Sequence, residues 1–249
     1  MSRRLAAALL VAWSVPFLLR ADAATLGGAD AQVVDLELVL TIDCSYSVDD
    51  REFLLQTSGL AKAFADPEVI AAIEAGPKGA IAVSVMQWAS WDSQVVAVPW
   101  TIVASGASAE RVAARLVTMR RKTEVGGTSI SAAIDRASAY FAANPAKGKR
   151  RVIDISSDGR NNSGPDVRQA RDGALAKGIT INGLAILNEV PTLNYYFNLY
   201  VVGGKDAFVV SAAGYDDYVD AIRRKLLREI TGNKLSQRTT APLPRARIR

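Results

Sequence analysis

The chain has 249 residues, a formal net charge of +5, one cysteine and no histidine. Its length suits one α/β domain with a full hydrophobic core. The absence of histidine excludes Ser-His-Asp and Cys-His catalytic centres and His-ligated zinc sites, and a single cysteine excludes an intramolecular disulfide.

The N-terminus has the pattern of a secretory signal. Two arginines precede an apolar run over residues 5–19, and residues 21–23 form a small-x-small cleavage site. We therefore expect residues 1–23 to be a signal peptide, the mature chain to begin at Ala24, and the protein to be periplasmic or secreted. The alternative is an uncleaved membrane anchor, for which the apolar run is short. The arginine pair leaves both Sec and twin-arginine export open.

The positive charge lies at the two ends of the chain. Residues 1–23 have a net charge of +2 and residues 232–249 have five basic and no acidic side chains, so residues 24–231 have a net charge of −2. Nucleic-acid binding is therefore not indicated. We expect residues 24–32 to be a flexible lead-in, residues 33–231 to form the domain, and the segment from 232 onward to be a disordered tail that is dispensable for folding.

The first predicted element is a strand that is buried on at least one face. Leucine and isoleucine alternate with other residues over 36–42, and Asp43, Ser45 and Ser47 follow. Residues two apart in an extended segment can point the same way, so one carboxylate and two hydroxyls can converge. In an open parallel sheet, ligands bind at the C-terminal ends of the strands, and hard oxygens suit Mg²⁺ or Mn²⁺.

The rest of the domain alternates between helical and strand patterns. Helices are predicted from about residue 51, from Pro67 as a first-turn residue, and over 108–119, 130–143, 166–176 and 215–230. Strands are predicted over 80–88, 93–102, 152–158, 179–187 and 206–211. The second and third strands are joined too closely for a parallel crossover, so they form an antiparallel pair. Residues 188–204 show no clear period. The pattern predicts a three-layer α/β fold with a doubly wound, mostly parallel sheet and one antiparallel edge strand.

Two later segments add oxygen atoms to the first cluster. Gly126 and Gly127 precede Thr128, and Asp158 ends a second apolar strand. Taken singly, Asp43, Asp158 and Thr128 have a plainer explanation as caps of the helices that follow them. Together with Ser45 and Ser47, they supply two carboxylates and three hydroxyls at strand ends and before a helix.

An Asp-x-Ser-x-Ser sequence, a distant threonine after glycines and an Asp-Gly at a strand end together resemble the metal-ion-dependent adhesion site (MIDAS) of von Willebrand factor A (vWA) domains. The resemblance covers about residues 33–231 and is closest to an uncharacterised branch of exported bacterial vWA-like proteins. It implies the strand order 3-2-1-4-5-6 and direct ligation of the metal by the three hydroxyls. The metal would be Mg²⁺ or Mn²⁺, and the implied ligands are Asp43, Ser45, Ser47, Thr128 and Asp158.

The resemblance also implies a function. The sixth metal position would take an Asp or Glu side chain of a partner protein, which makes the chain a non-enzymatic, adhesion-type interaction module. Arg160, Asn161 and Asn162 follow Asp158 and are candidates for further partner contacts, unless they are merely solvated loop residues. Two alternatives remain: a metal-dependent hydrolase, for which no general base is evident, and a periplasmic small-molecule binder that uses the crevice at the sheet edge.

Several residues have more than one interpretation. Cys44 is a buried inert thiol or a metal thiolate, and Asp154 is a hydrogen-bonded core carboxylate or a support for the metal ligands. The aromatic stretch at 195–200 packs in a local core or lines a rim. We expect the basic residues at 120–122 to be a solvated helix end and the tryptophans Trp88 and Trp91 to pack on the edge strand.

Overall fold

A computed structural model describes residues 31–232 of the chain. The expected signal peptide, the proposed start at Ala24, nearly all of the lead-in and the basic tail after Gly232 lie outside the described residues. The described strands are β1 (Gln32–Val34), β2 (Leu36–Asp43), β3 (Ile81–Trp88), β4 (Gln94–Val103), β5 (Ala146–Gly148), β6 (Arg151–Ser157), β7 (Ile179–Ile186) and β8 (Val209–Ala212). The described α-helices are α1 (Asp50–Ala65), α2 (Pro67–Glu74), α3 (Gly106–Val117), α4 (Ile130–Tyr140), α5 (Val167–Ala176), α6 (Leu193–Tyr196) and α7 (Tyr218–Thr231).

Six of the described strands form one sheet in the order β4-β3-β2-β6-β7-β8. All neighbours are parallel except β3 and β4, which pair antiparallel. Counted along the chain within this sheet, the order is 3-2-1-4-5-6, as the family resemblance implied. The predicted α/β fold with one antiparallel edge strand is confirmed. The order reverses beside β2, so the C-terminal ends of β2 and β6 meet at the edge where such sheets bind ligands.

Two hydrophobic cores cover the two faces of the sheet. On one face, Leu38, Leu40 and Ile42 of β2 pack in a core with residues of α1, α3 and α7. On the other, Val39 packs in a core with residues of α4 and α5. Alternate side chains of a strand point to opposite faces, so β2 supplies both cores and is buried along its whole length. This arrangement is the predicted three-layer architecture.

The structure differs from the sequence-based expectation in some local elements. Strand β1 pairs with β5 in a separate two-stranded parallel sheet, which no pattern predicted. Glu37 supports it from β2, because its carboxylate accepts hydrogen bonds from Gly148 N (2.6 Å) and Asn144 Nδ2 (2.8 Å). The segment after residue 188 is not irregular throughout, since α6 continues into a π-helical turn at Phe197–Val201.

Helix caps also differ from the sequence-based expectation. Helix α3 begins at Gly106, two residues before the predicted start at Ser108, because Ser105 is its cap and Ser108 completes a capping box with it. Asp49 caps α1, Ser129 caps α4 and Asp166 caps α5. The plainer explanation of Asp43, Thr128 and Asp158 as caps of these helices is therefore wrong.

None of the described helices is long and apolar enough to cross a membrane.

Candidate metal centre

The carboxylate of Asp43 lies at the C-terminal end of β2 and is fully buried. Its Oδ1 accepts a 2.7 Å hydrogen bond from Ser45 N, which turns the chain sharply out of the strand in an Asx-type turn. Its Oδ2 accepts a hydrogen bond from the hydroxyl of Ser157, the last residue of β6. The turn places the hydroxyls of Ser45 and Ser47 3.4 Å apart. Three of the predicted ligands are thus adjacent.

Asp158 joins the same cluster from the end of β6. Its Oδ1 accepts a 2.7 Å hydrogen bond from Ser47 Oγ, and its Oδ2 accepts one of 3.2 Å from Tyr215 Oη. Sequence reasoning missed Ser157 and Tyr215. Ser157 directly precedes Asp158 in the sequence, and this position could have indicated its role. Tyr215 lies far along the chain from Asp158 and belongs to no recognised motif.

Thr128 reaches the cluster from the loop before α4. A Cβ atom added to Gly159 would lie 3.3 Å from Thr128 Oγ1, so the threonine hydroxyl lies against the residue after Asp158. The backbone of Thr128 is held from both sides: its N donates to Asn162 Oδ1 (2.8 Å) and its carbonyl accepts from Asn162 N (2.9 Å). All five predicted ligand residues therefore lie at one end of the sheet.

The two glycines before Thr128 allow this loop to approach its neighbours. A Cβ atom at Gly126 would be 1.9 Å from Ser90 Oγ, and one at Gly127 would be 3.0 Å from Asn162 Oδ1. The Ser90 hydroxyl accepts a 3.0 Å hydrogen bond from Gly127 N, and Tyr46 N donates a 2.8 Å bond to the Gly126 carbonyl. The glycine loop is thus joined both to the β3–β4 turn and to the loop that carries Ser45 and Ser47.

The electrostatics of the cluster favour a cation. Burial, together with the nearby Asp158 carboxylate, raises the pKa of Asp43 to about 7, although hydrogen bonds from Ser157 and Ser45 lower it. Burial also raises the pKa of Asp158, against the hydrogen bonds from Ser47 and Tyr215. Two neighbouring carboxyl groups that resist ionisation lack positive compensation, and a divalent ion would supply it.

The residues present fit Mg²⁺ or Mn²⁺ by the chemistry of their donors. The cluster offers carboxylate and hydroxyl oxygens, which both ions prefer, and no nitrogen ligand. Residues 31–232 contain no group of three or more His, Cys, Asp or Glu side chains placed to hold a metal. The proposed site has only two carboxylates, and its other three ligands are hydroxyls, so it is not a group of that kind. Its assignment as a metal site stays a prediction.

Arg121 supports the loop that carries the serine ligands. Its guanidinium donates hydrogen bonds to the carbonyl oxygens of Cys44 (2.9 Å), Val48 (2.8 Å) and Asp49 (3.1 Å). It also lies 5.2 Å from the ring centroid of Phe53. The expectation of a solvated basic helix end is therefore wrong for Arg121. No motif announced this role, because the arginine follows the loop by more than seventy residues.

Cys44 points away from the oxygen cluster. The thiol is fully buried, and Sγ lies 3.8 Å from the carbonyl oxygen of Ile42. Burial raises its pKa to about 12, so the thiolate that a metal requires is strongly disfavoured. The structure favours the inert core thiol over the metal ligand.

The three residues proposed for partner contact are placed beside the cluster but differ in their freedom. Asn162 holds the backbone of Thr128, as described above. Asn161 Oδ1 accepts a 2.9 Å hydrogen bond from Ser131 N at the start of α4. Arg160 is exposed, donates to Thr192 Oγ1 (3.0 Å) and lies 5.7 Å from the ring centroid of Tyr196. Their contact with a partner stays a prediction. The two asparagines also hold the backbone of Thr128 and the first turn of α4 through hydrogen bonds.

Some aromatic residues of the 195–200 stretch pack in the core, and others are exposed as rim residues would be. Phe197 is fully buried in the core against α4 and α5, whereas Tyr195 is 65% exposed and Tyr200 39%. Trp88 is fully buried, as expected for packing at the edge of the sheet. That expectation is wrong for Trp91, which is 63% exposed beside the glycine loop.

Comparisons with solved structures support the fold. Proximal thread matrix protein 1 from the mussel byssus aligns with a TM-score of 0.61 and 12% identity over 80% of this chain and 48% of that protein. Another structure of it has a zinc-occupied MIDAS motif. The pilus adhesin SpaC from Lactobacillus rhamnosus GG aligns with a TM-score of 0.56 and 14% identity over 82% of this chain and 31% of that one.

A third similar structure is a von Willebrand factor type A protein from Catenulispora acidiphila, with a TM-score of 0.51 and 16% identity over 80% of this chain and 43% of that one. The chain thus spans less than half the length of each of these proteins, and the likeness shows the fold alone. No curated protein has significant sequence similarity to the chain. A family model described as "Protein of unknown function (DUF1194)" matches residues 33–234. The chain therefore belongs to this family, and its domain has the von Willebrand factor A fold.

Proposed function

We propose that the chain is an exported, non-enzymatic interaction module that holds Mg²⁺ or Mn²⁺ through Asp43, Ser45, Ser47, Thr128 and Asp158, and that binds an Asp or Glu side chain of a partner protein. The observation that carries the proposal is the convergence of two buried carboxyl groups and their hydroxyl neighbours at the edge of the sheet. A divalent ion held by so few charges would attract an acidic group from outside.

The surface around the cluster supports a protein partner. Tyr46, between the two serine ligands, is 84% exposed, and Val125, before the glycine loop, is 60% exposed. Trp91 is 63% exposed, and its backbone N donates a 3.3 Å hydrogen bond to Ser163 Oγ in the loop after Asp158. These three residues, which we call the apolar rim, extend from loops that contact the ligand residues. A partner that presents an acidic side chain flanked by apolar groups would bury the rim, as is typical of interaction sites.

Arg160 and Tyr196 extend this surface on the side of the loop after β6. The guanidinium lies over the ring, and arginine and tyrosine are both enriched at protein interfaces. Arg160 is thus the member of the predicted partner-contact set whose side chain has the most freedom to meet a partner.

One observation favours small-molecule binding as a second candidate. A groove of about 550 Å³ lies beside the cluster and is lined by Asn161, Asn162, Gly164, Pro165, Asp166, Val167, Arg168, Tyr196 and Tyr200. Its volume is in the range of ligand pockets. It is open to solvent, however, and its Arg168 is already paired with Asp166, so we favour the protein partner.

A pull-down from native periplasmic extract tests the proposal. Wild-type protein should recover partners with Mg²⁺ and lose them with chelator, and Asp43→Ala and Thr128→Ala should recover little in either condition. Asp220→Ala, an exposed aspartate on α7, is the matched control and should behave as wild type. Recovery of the same partners at the same yield with and without Mg²⁺ would show that the metal is not the contact.

Variants of the apolar rim separate partner binding from metal binding. Tyr46→Ser and Trp91→Ser should lower partner recovery several-fold and leave Mn²⁺ affinity unchanged. Val33→Ser, which changes a similarly exposed residue in β1, should alter neither. If the rim variants recover partners at wild-type yield, the partner does not cover this surface.

A further inference from the structure

A lysine lies fully buried in the domain, away from the metal ligands in the sequence. Lys225 of α7 has no exposed surface, and its Nζ lies 2.6 Å from Oδ2 of Asp154, in the middle of β6. The same nitrogen lies 2.8 Å from Oε1 of Glu229, one helical turn later. Both carboxyl groups are also buried. Of the two interpretations of Asp154, the structure favours the core carboxylate over a support for the metal ligands, because its side chain is paired with a core lysine.

The surroundings hold this group rigidly. Glu229 Oε2 accepts a 2.8 Å hydrogen bond from Asn182 Nδ2 on β7, and Asn182 Oδ1 accepts one of 2.9 Å from Phe208 N. The ring of Phe208 lies 5.3 Å from Lys225 Nζ. Asp154 and Asn182 are direct neighbours across β6 and β7. Lysine, aspartate and glutamate are thus fixed by one helix, two strands and an aromatic side chain.

The carboxyl group of Asp154 lacks the partners that a buried carboxylate normally gathers. Its Oδ2 is paired with Lys225 Nζ, and its Oδ1 has no hydrogen-bond partner among the described residues. Burial raises its pKa to about 6, although the charge of Lys225 lowers it. Two carboxylates also face a single ammonium. An ammonium and a carboxylate buried together each carry a high desolvation cost.

We propose that Lys225 and Asp154 condense to an intramolecular isopeptide bond between Nζ and Cγ, with Glu229 as the group that accepts the proton from Nζ. The new bond forms between Nζ and Cγ, and the bond between Cγ and one Oδ breaks. That oxygen leaves as water with two of the three ammonium protons, the third remains on the amide nitrogen, and Glu229 ends in its starting state. No oxidant, reductant or external cofactor is needed.

The structure supplies the conditions for this reaction. The nucleophile and the carboxyl group are held in contact, which replaces an encounter in solution by an effectively unimolecular step. The site is closed to bulk water, which would otherwise compete for the carboxyl carbon. The product is a neutral amide, so the reaction removes two buried charges. It would also bond α7 covalently to β6, the strand that directly precedes the proposed metal ligand Asp158.

Peptide mapping of the full chain under denaturing conditions tests the proposal directly. Trypsin does not cleave after a lysine whose amine is acylated. The modified protein should therefore yield a branched peptide that joins residues 152–160 to residues 225–228, lighter by one water than the sum of its two parts. Lys225→Met should give the linear 152–160 peptide, and Lys62→Met, which changes an exposed lysine of α1, should retain the branched one.

A variant that preserves the cluster tests the role of Glu229. Glu229→Gln keeps the shape of the side chain together with both Lys225 and Asp154, and should lower the yield of branched peptide several-fold. If wild-type protein yields only the linear peptides 152–160 and 226–228, no bond forms and the proposal is wrong. If Glu229→Gln yields as much branched peptide as wild type, the assignment of Glu229 as the proton acceptor is wrong.

Discussion

Arg121 Nη1 donates a 2.9 Å hydrogen bond to the carbonyl oxygen of Cys44, in the middle of the loop that carries the proposed serine ligands. The second amino group of the guanidinium binds the carbonyls of Val48 and Asp49 in the same loop. A planar guanidinium can serve several carbonyls at once, which an ammonium cannot do in the same geometry. The position of Ser45 and Ser47 thus depends on a residue from a distant part of the chain.

Arg121→Lys should therefore loosen this loop. We expect the free energy of unfolding to fall by about 1–3 kcal/mol, because part-buried carbonyls lose their donors, and Mn²⁺ affinity to fall several-fold. Chemical denaturation and calorimetry measure the two effects. Arg120→Lys, one residue earlier and exposed, should change neither. If the two substitutions have equal effects, the hydrogen bonds from Arg121 to the loop carbonyls contribute neither to stability nor to Mn²⁺ affinity.

Asp43→Asn should abolish Mn²⁺ binding without unfolding the protein. The substitution keeps the size of the side chain and removes a charge that is fully buried near Asp158. In chelator at pH 8, we expect the melting temperature of the variant to equal or exceed that of wild type, because removal of the charge relieves carboxylate crowding. Calorimetry with Mn²⁺ and thermal unfolding in chelator are the measurements. Undiminished Mn²⁺ binding would exclude Asp43 as a ligand.

Mn²⁺ affinity should depend on pH through protonation of Asp43. Burial and the Asp158 carboxylate raise the pKa of Asp43 from 3.8 to about 7 in the metal-free protein. Because the ion displaces the proton, affinity should fall about tenfold for each pH unit below that pKa. Titration with Mn²⁺ between pH 5 and pH 8, detected by calorimetry, checks this. A flat profile over that range would contradict the raised pKa.

The same shift has the opposite consequence for stability without metal. The folded state binds the Asp43 proton more tightly than the unfolded state, so its contribution to stability is present at low pH. It is lost as the pH rises from about 4, the ordinary pKa, to about 7, the raised one. Unfolding of the Asp43→Asn variant in chelator should lack this component. The difference between wild type and variant, followed against pH, isolates it.

Gly126→Ala should disturb the site by sterics alone. The added Cβ would meet the Ser90 hydroxyl at 1.9 Å and displace it from Gly127 N. We expect a loss of about 1–3 kcal/mol in the free energy of unfolding and weaker Mn²⁺ binding. Gly173→Ala in α5 is the matched control, since its Cβ would meet nothing within 4 Å. This control should stabilise the protein by about 0.5–1 kcal/mol, because glycine in a helix interior is unfavourable.

If Gly126→Ala keeps wild-type stability and Mn²⁺ affinity, Ser90 moves aside at no cost and the loop does not require glycine. If Gly173→Ala also destabilises the protein, adding a methyl group has a general cost, and the loss in Gly126→Ala cannot be assigned to the contact with Ser90.

The sequence by itself determined the central strand and the oxygen-rich group of side chains at its end. Alternation along β2 indicated burial, and the short connection between β3 and β4 indicated their antiparallel pairing, because both features depend on local geometry. Strand geometry predicted that Asp43, Ser45 and Ser47 converge at the sheet edge, and the resemblance to vWA domains added Thr128 and Asp158 to that cluster.

The tertiary structure decided which residues support that cluster and which are buried together. Ser157 and Arg121 contact the ligand loop through hydrogen bonds that join distant parts of the chain, and no local period encodes such pairs. Glu37 accepts hydrogen bonds from Asn144 Nδ2 and Gly148 N beside the β1–β5 pair, and its place in a strand gave no hint of these two partners. In the sequence, Lys225 is one of several basic residues in the last predicted helix. Only the packing of α7 against β6 and β7 shows that it faces the core and meets Asp154.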